Sequence, residues 1–277
     1  HFRYSFSLSR WAAQWLFSYL GVSVIWLIVA TFQNVIMSHE IQIPVESFPL
    51  VIISTTGLIL YYYGTLSAMK LGQVSIYYPI VRSSPIAIVI FSWLFLDVKY
   101  TNWTIVGIII IFIGAVMLQK YRISFLGNNK ALCLAIMAMI GSACYSISDA
   151  IAVQKIAPSV LLFYCYILVS LILFFMVVFN NGSTKNTLIY LLHQWKPNQH
   201  KILSAGLISY SSYYLILVAF GLGADAAAVS AVRQASIPIS VLLAAYFLNE
   251  NETFRRLGWA SLIALGIIIL ARNDLST

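Results

Sequence analysis

Apolar residues run along this chain in nine long blocks, near 11–36, 50–70, 75–96, 102–119, 131–152, 158–180, 202–222, 226–248 and 256–272, parted by short polar links. Crossing a hydrocarbon core takes roughly 17 to 25 apolar residues in a helix, and every block meets that length. The pattern therefore predicts an all-α integral membrane protein with nine spanning helices in the chain as given. The longest link, 181–201, carries Leu, Ile, Tyr and Trp between Thr187 and Trp195. That stretch reads either as a short amphipathic helix in the membrane interface or as a partly ordered loop.

The chain repeats itself at an offset of 151 residues. Between Tyr62–Arg82 and Tyr213–Arg233, eight of 21 positions are identical. Hydrophobic bias explains matches among Leu, Ala and Val, but not the paired Tyr-Tyr, Leu-Gly and Val-Arg. The same offset lays 158–180 over 7–33 and leaves 131–152 without a counterpart. The expected organisation is a first repeat at 1–119, a linker at 120–130 and a second repeat at 131–272. One helix before His1 would complete the first repeat. Ten helices in two repeats of five would then have opposite orientations, because five is odd.

Composition confirms the solvent. Hydrophobic residues make up 61% and charged residues 9%, against about half and about a quarter in soluble domains. The links leave no room for a sizeable extramembrane domain, so the net charge of +8 does not point to nucleic acid. Basic residues divide unequally between alternate links. Eleven (Arg3, Arg10, Lys70, Lys120, Arg122, Lys130, Lys185, Lys196, Lys201, Arg255, Arg256) fall on one side and three (Lys99, Lys155, Arg272) on the other. The positive-inside rule makes the first set cytoplasmic. Cys133, Cys144 and Cys165 all lie in apolar blocks, with no disulfide framework or zinc spacing. No metal or cofactor is expected. Protease, hydrolase and paired-aspartate motifs are absent, which argues against an enzyme.

Three ionisable residues lie within apolar blocks: Arg82, Arg233 and Asp149. A charge at a helix centre costs about 2.5 to 3.5 kcal/mol on the insertion scale, so each is expected to face protein or water. Arg82 and Arg233 occupy equivalent places in the two repeats. Either they hold an anionic group, for which guanidinium supplies a planar fork, or they bind backbone carbonyls and headgroups. Tyr78 precedes Arg82 by one turn, and Ser230 and Gln234 share a turn around Arg233, so these side chains are candidates for the same cavity. Pro79, Pro85 and Pro238 interrupt the two arginine-bearing segments. Asp149, one turn beyond Tyr145, is a candidate for proton coupling, for pairing with an ammonium, or for neutralising an arginine. Tyr62 and Tyr213, which recur with Tyr63 and Tyr214, are further candidates for the lining. Gly107, Gly114, Gly258 and Gly266 are expected to serve helix packing.

Three stretches carry a family resemblance: Gly72-x-x-Ser-x-x-Tyr-Pro-x-x-Arg82, Tyr145-Ser-Ile-Ser-Asp149, and Val229-Ser-Ala-Val-Arg-Gln-Ala-Ser-Ile237. With them, the chain resembles the EamA branch of the drug/metabolite transporter superfamily over nearly its whole length. The resemblance implies inverted five-helix repeats, a central cavity and alternating access for small metabolites. It also implies cytoplasmic termini, whereas the link charges place the C-terminus outside. The charged residue that many relatives carry at the end of the fourth helix is Asp97 here, with Glu250 in the second copy. The expected function is secondary transport of a small anionic or zwitterionic metabolite, such as an amino acid, an organic acid or an aminophosphonate. The alternative is a flippase for a lipid-linked sugar or isoprenoid phosphate. The expected setting is a monomer in a bacterial-type plasma membrane, in contact with membrane lipid and its small-molecule or lipid-phosphate substrate.

Overall fold

The computed structural model describes residues 10–71, 80–119, 129–181, 184–236, 239 and 253–274. Nine α-helices are described: α1 (Arg10–Ile36), α2 (Phe48–Leu71), α3 (Ser84–Phe95), α4 (Asn102–Gln119), α5 (Asn129–Ala152), α6 (Pro158–Asn181), α7 (Thr184–Gly221), α8 (Ala226–Val232) and α9 (Thr253–Asp274). Turns of 3-10 helix at Val45–Ser47 and Arg233–Ala235 precede α2 and follow α8. No strand occurs among the described residues. Five segments are long and apolar enough to span a bilayer: Leu16–Ile36, Val45–Ala68, Asn129–Ala152, Pro158–Phe179 and Trp195–Gly221. Ser84–Phe95, Asn102–Gly114 and Leu257–Ile269 are shorter apolar helices. The expected blocks 75–96 and 226–248 lie partly outside the described residues.

Local sequence sets the helix ends. Pro158 opens α6 at the first helical position, where its missing N–H costs nothing. Asp225 caps α8, its Oδ1 accepting from the Ala228 N–H at 2.9 Å. Between α7 and α8 the chain turns through Gly223 at φ +92°, a conformation that a side chain would strain.

The link expected at 181–201 is instead helical. From Thr184 the chain runs through Pro197 to Gly221 as one helix, and 187–195 forms its early turns, ahead of the segment Trp195–Gly221 that is long and apolar enough to span a bilayer. Leu191 and Trp195 explain this. They pack on the cluster of Phe17, Ile25 and Ile202, which keeps the early turns in register with the apolar face that follows. The polar run Lys196–Lys201 only interrupts that face.

Two compact units emerge, and neither is a sequence repeat. The first comprises residues 1–55 and 151–221; the second comprises 56–150 and 222–277. In the first, α1 packs against α6 and α7. Trp26 lies at its centre, with ring centroids 4.5 Å from Tyr166 and 5.6 Å from both Tyr210 and Tyr213. The Trp26 indole N–H donates to Ser209 at 2.9 Å.

In the second unit, α4 packs on α9 and α3 on α8. Helices α2 and α5 approach closely at Gly57 and Gly141. A Cβ on Gly57 would lie 2.7 Å from the Gly141 carbonyl oxygen, and Ala138 similarly crowds Gly64. The places equivalent to Gly57 and Gly64 at the 151-residue offset are Ile208 and Leu215 of α7, which are 72% and 66% exposed. Of the glycines expected to pack, Gly114 and Gly266 do so, against Ile263 and the Gly107 carbonyl. At Gly258, none of the described residues lies within 4 Å of a Cβ placed there.

Links between helices also make contacts. Lys155 pairs with Glu46 at 3.0 Å within the first unit, and Tyr100 reaches Asp225 at 3.4 Å within the second. Each pair joins links that alternation along the chain assigns to a single face.

Candidate functional site: a polar cavity between the arginines

Arg82 and Arg233 both sit where a helix breaks. Arg82 ends a helical stretch at 80–82, and α3 restarts at Ser84 with Pro85 in its first turn. In a continuous helix the Ile86 N–H would serve the Arg82 carbonyl. Here it donates to Ser83 at 3.0 Å, and the Arg82 carbonyl accepts from the Gln234 amide nitrogen at 3.2 Å. On the other side, α8 tightens into the 3-10 turn that begins with Arg233. The proline-linked interruptions expected from sequence thus coincide with the arginines at Pro85; Tyr78, Pro79 and Pro238 lie outside the described residues.

A small polar cavity of about 10 Å³ lies among Tyr61, Val81, Arg82, Ser84, Ser142, Tyr145, Ser230, Arg233 and Gln234, all within the second unit. That is room for about one water molecule. The Arg233 guanidinium donates to the Tyr145 hydroxyl at 3.4 Å, and the Ser142 hydroxyl approaches the same oxygen at 3.5 Å. Ser84 and Ser230 hydroxyls lie 3.5 Å apart. Tyr61 meets Tyr145 edge-on, with centroids 5.9 Å apart. The close crossing of α2 and α5 at Gly57 and Gly141 puts these two rings together. Two guanidiniums, hydroxyls and a buried amide make the cavity rich in donors, a chemistry suited to an anion.

Five candidates from the sequence therefore meet here: Arg82, Arg233, Gln234, Ser230 and Tyr145. Asp149 is 2% exposed, one turn beyond Tyr145 on α5, and is not among the lining residues. Tyr62 lies beside Tyr61 with ring centroids 5.6 Å apart and the planes tilted by 52°, and it is Tyr61 that lines the cavity. Tyr213 belongs to the first unit, where it packs on Trp26. Sequence reasoning missed Tyr61, Ser84 and Ser142. Stepping one turn back from Tyr145 finds Ser142, and reading past the break finds Ser84. Tyr61 carries no such signal, because its place is set by the α2–α5 contact.

Tyr100 and Asp225 hold the start of α8. Burial pushes the Tyr100 hydroxyl up to about 12; a hydrogen bond to Ser92 opposes this and the Asp225 carboxylate reinforces it. The phenol thus keeps its proton and donates to the residue that caps the helix carrying Ser230.

Residues 6–119 and 129–272 match the model of the EamA-like transporter family. No curated protein shows a significant sequence match to the chain. A solved crystal structure shares the fold, with a TM-score of 0.71 at 16% identity, covering 93% of this chain and 88% of the other. The family match spans nearly the whole chain and takes in both arginine segments, and the helices are of membrane-spanning length and apolarity: the protein is an integral membrane transporter of the EamA-like family, within the drug/metabolite transporter superfamily.

Proposed function

We propose that this transporter carries a small anionic or zwitterionic metabolite by alternating access, with Arg82 and Arg233 holding the anionic group. The observation that carries this reading is the convergence of both arginines, one from each repeat, on a single polar cavity with Tyr145, Ser230 and Gln234. Metabolite sites commonly enclose about 300 Å³ or more, so a cavity of about 10 Å³ corresponds to a closed state that opens to load. Asp149, buried on the same helix as Tyr145, is the proposed coupling group. Arg82→Gln and Arg233→Gln should each abolish uptake of amino-acid and organic-acid tracers into proteoliposomes while leaving a folded, monodisperse protein. Undiminished transport by both variants would remove the assignment.

One observation favours the flippase alternative. The first unit holds an apolar groove of about 630 Å³ along α1, α6 and α7, lined by Leu20, Val24, Leu171, Phe174 and Trp195 among others. A hydrocarbon tail fits such a lining. Flipping of a fluorescent polyprenyl phosphate that is lost on Leu171→Asp, with no uptake of short organic acids by the wild type, would select it over metabolite transport.

A further inference from the structure

We infer that Gln234 reads a hydrogen-bond donor on the transported solute, so that the preferred solute is an amino acid or hydroxy acid and not a plain carboxylate. This rests on the proposed role of Arg82 and Arg233 in holding the anion.

The orientation of the Gln234 amide is fixed by its surroundings. Its nitrogen donates to the Arg82 carbonyl oxygen at 3.2 Å; with the amide reversed, two carbonyl oxygens would face each other, which is repulsive. The other end of the group is therefore an acceptor. The Gln234 side chain is 4% exposed, and its Oε1 has no hydrogen-bond partner among the described residues.

Buried acceptors without partners are rare, and they mark a ligand, a water or a strained site. Gln234 is among the residues that line the cavity shared by Arg82 and Arg233. Guanidinium groups only donate, so the arginines match a carboxylate and leave no acceptor of their own for a neighbouring ammonium or hydroxyl. Gln234 supplies it. A carboxylate bearing an α-amino or α-hydroxyl group presents the anion and the donor a few ångströms apart, the combination that this set of side chains can satisfy. A plain acid satisfies the arginines and leaves Oε1 as it is. Sites that hydrogen-bond a polar group reject the analogue lacking it far more strongly than apolar pockets reject a missing methylene.

The test is equilibrium binding to the purified full chain in nanodiscs, with matched probes: L-phenylalanine, L-3-phenyllactate and 3-phenylpropionate, then L-aspartate, L-malate and succinate. In the wild type the amino or hydroxy member should bind at least about tenfold more tightly than the plain acid. Gln234→Met should bring that ratio below about threefold. Gln234→Glu keeps an acceptor oxygen, so it should retain the ratio and favour the ammonium over the hydroxyl; it also serves if the Met variant does not fold. Equal binding of plain and substituted acids by the wild type overturns the role of Gln234 and leaves the arginines standing, as does a ratio that Gln234→Met does not move. Binding of none of the six overturns the anion reading itself.

Discussion

The Arg233 guanidinium and the Tyr145 hydroxyl lie 3.4 Å apart, joining the 3-10 turn after α8 to the middle of α5. Tyr145→Phe removes the oxygen that accepts from both Arg233 and Ser142. Because the contacts are long, the expected loss is at the low end for a charged hydrogen bond, about 1 to 2 kcal/mol. It should appear as a lower melting temperature together with weaker anion binding. A variant matching wild type in both would show that the contact does not position the arginine.

The α2–α5 crossing should tolerate no side chain. Gly57→Ala places a methyl 2.7 Å from the Gly141 carbonyl oxygen and 2.8 Å from the Tyr145 backbone nitrogen. Overpacking of this kind costs about 1 to 3 kcal/mol. Gly258→Ala, with none of the described residues within 4 Å, should instead be neutral or gain up to about 1 kcal/mol from helix propensity. Melting curves of the two variants in one detergent check the contrast.

Tyr100 gives a pH dependence of known sign. Its hydroxyl titrates near 12 when folded, against 10.0 for the free side chain. As pH rises from about 10 towards 12, the unfolded chain releases this proton first and the folded chain retains it, so stability falls across that window. Wild type should exceed Tyr100→Phe in melting temperature at pH 8, and the difference should narrow by pH 11. A difference that stays constant or widens would contradict the assignment.

Trp26 should dominate the first unit. Trp26→Leu loses contact with Tyr166, Tyr210 and Tyr213 and the bond to Ser209, for an expected cost of about 2 to 4 kcal/mol. Ser209→Ala isolates the hydrogen bond and should cost about 0.5 to 1.5 kcal/mol. Denaturant melts followed by tryptophan fluorescence report both.

The arginine pair was legible because duplication wrote it twice; Gln234 and Ser230 followed from helical spacing around Arg233, and Tyr145 from its place one turn before Asp149. Tyr62 and Tyr213 show where that logic stops. They are equivalent in sequence, yet one stands beside the cavity's Tyr61 and the other is packed on Trp26, since the helices meeting them differ. The polar run Lys196–Lys201 resembles a link, and only the packing of Leu191 and Trp195 on α1 shows that the helix continues through it. Ser84 and Ser142 lie within a turn of residues already singled out, whereas Tyr61 joins the site through the α2–α5 contact, which a single strand of sequence does not record.

The compact units do not follow the duplication seam. The first needs α1 from one repeat with α6 and α7 from the other; the second draws α2, α3 and α4 from one and α5, α8 and α9 from the other. Neither repeat alone holds the residues of either core, so two halves separated between 119 and 129 should each lack a complete core and recover it only when produced together in one membrane.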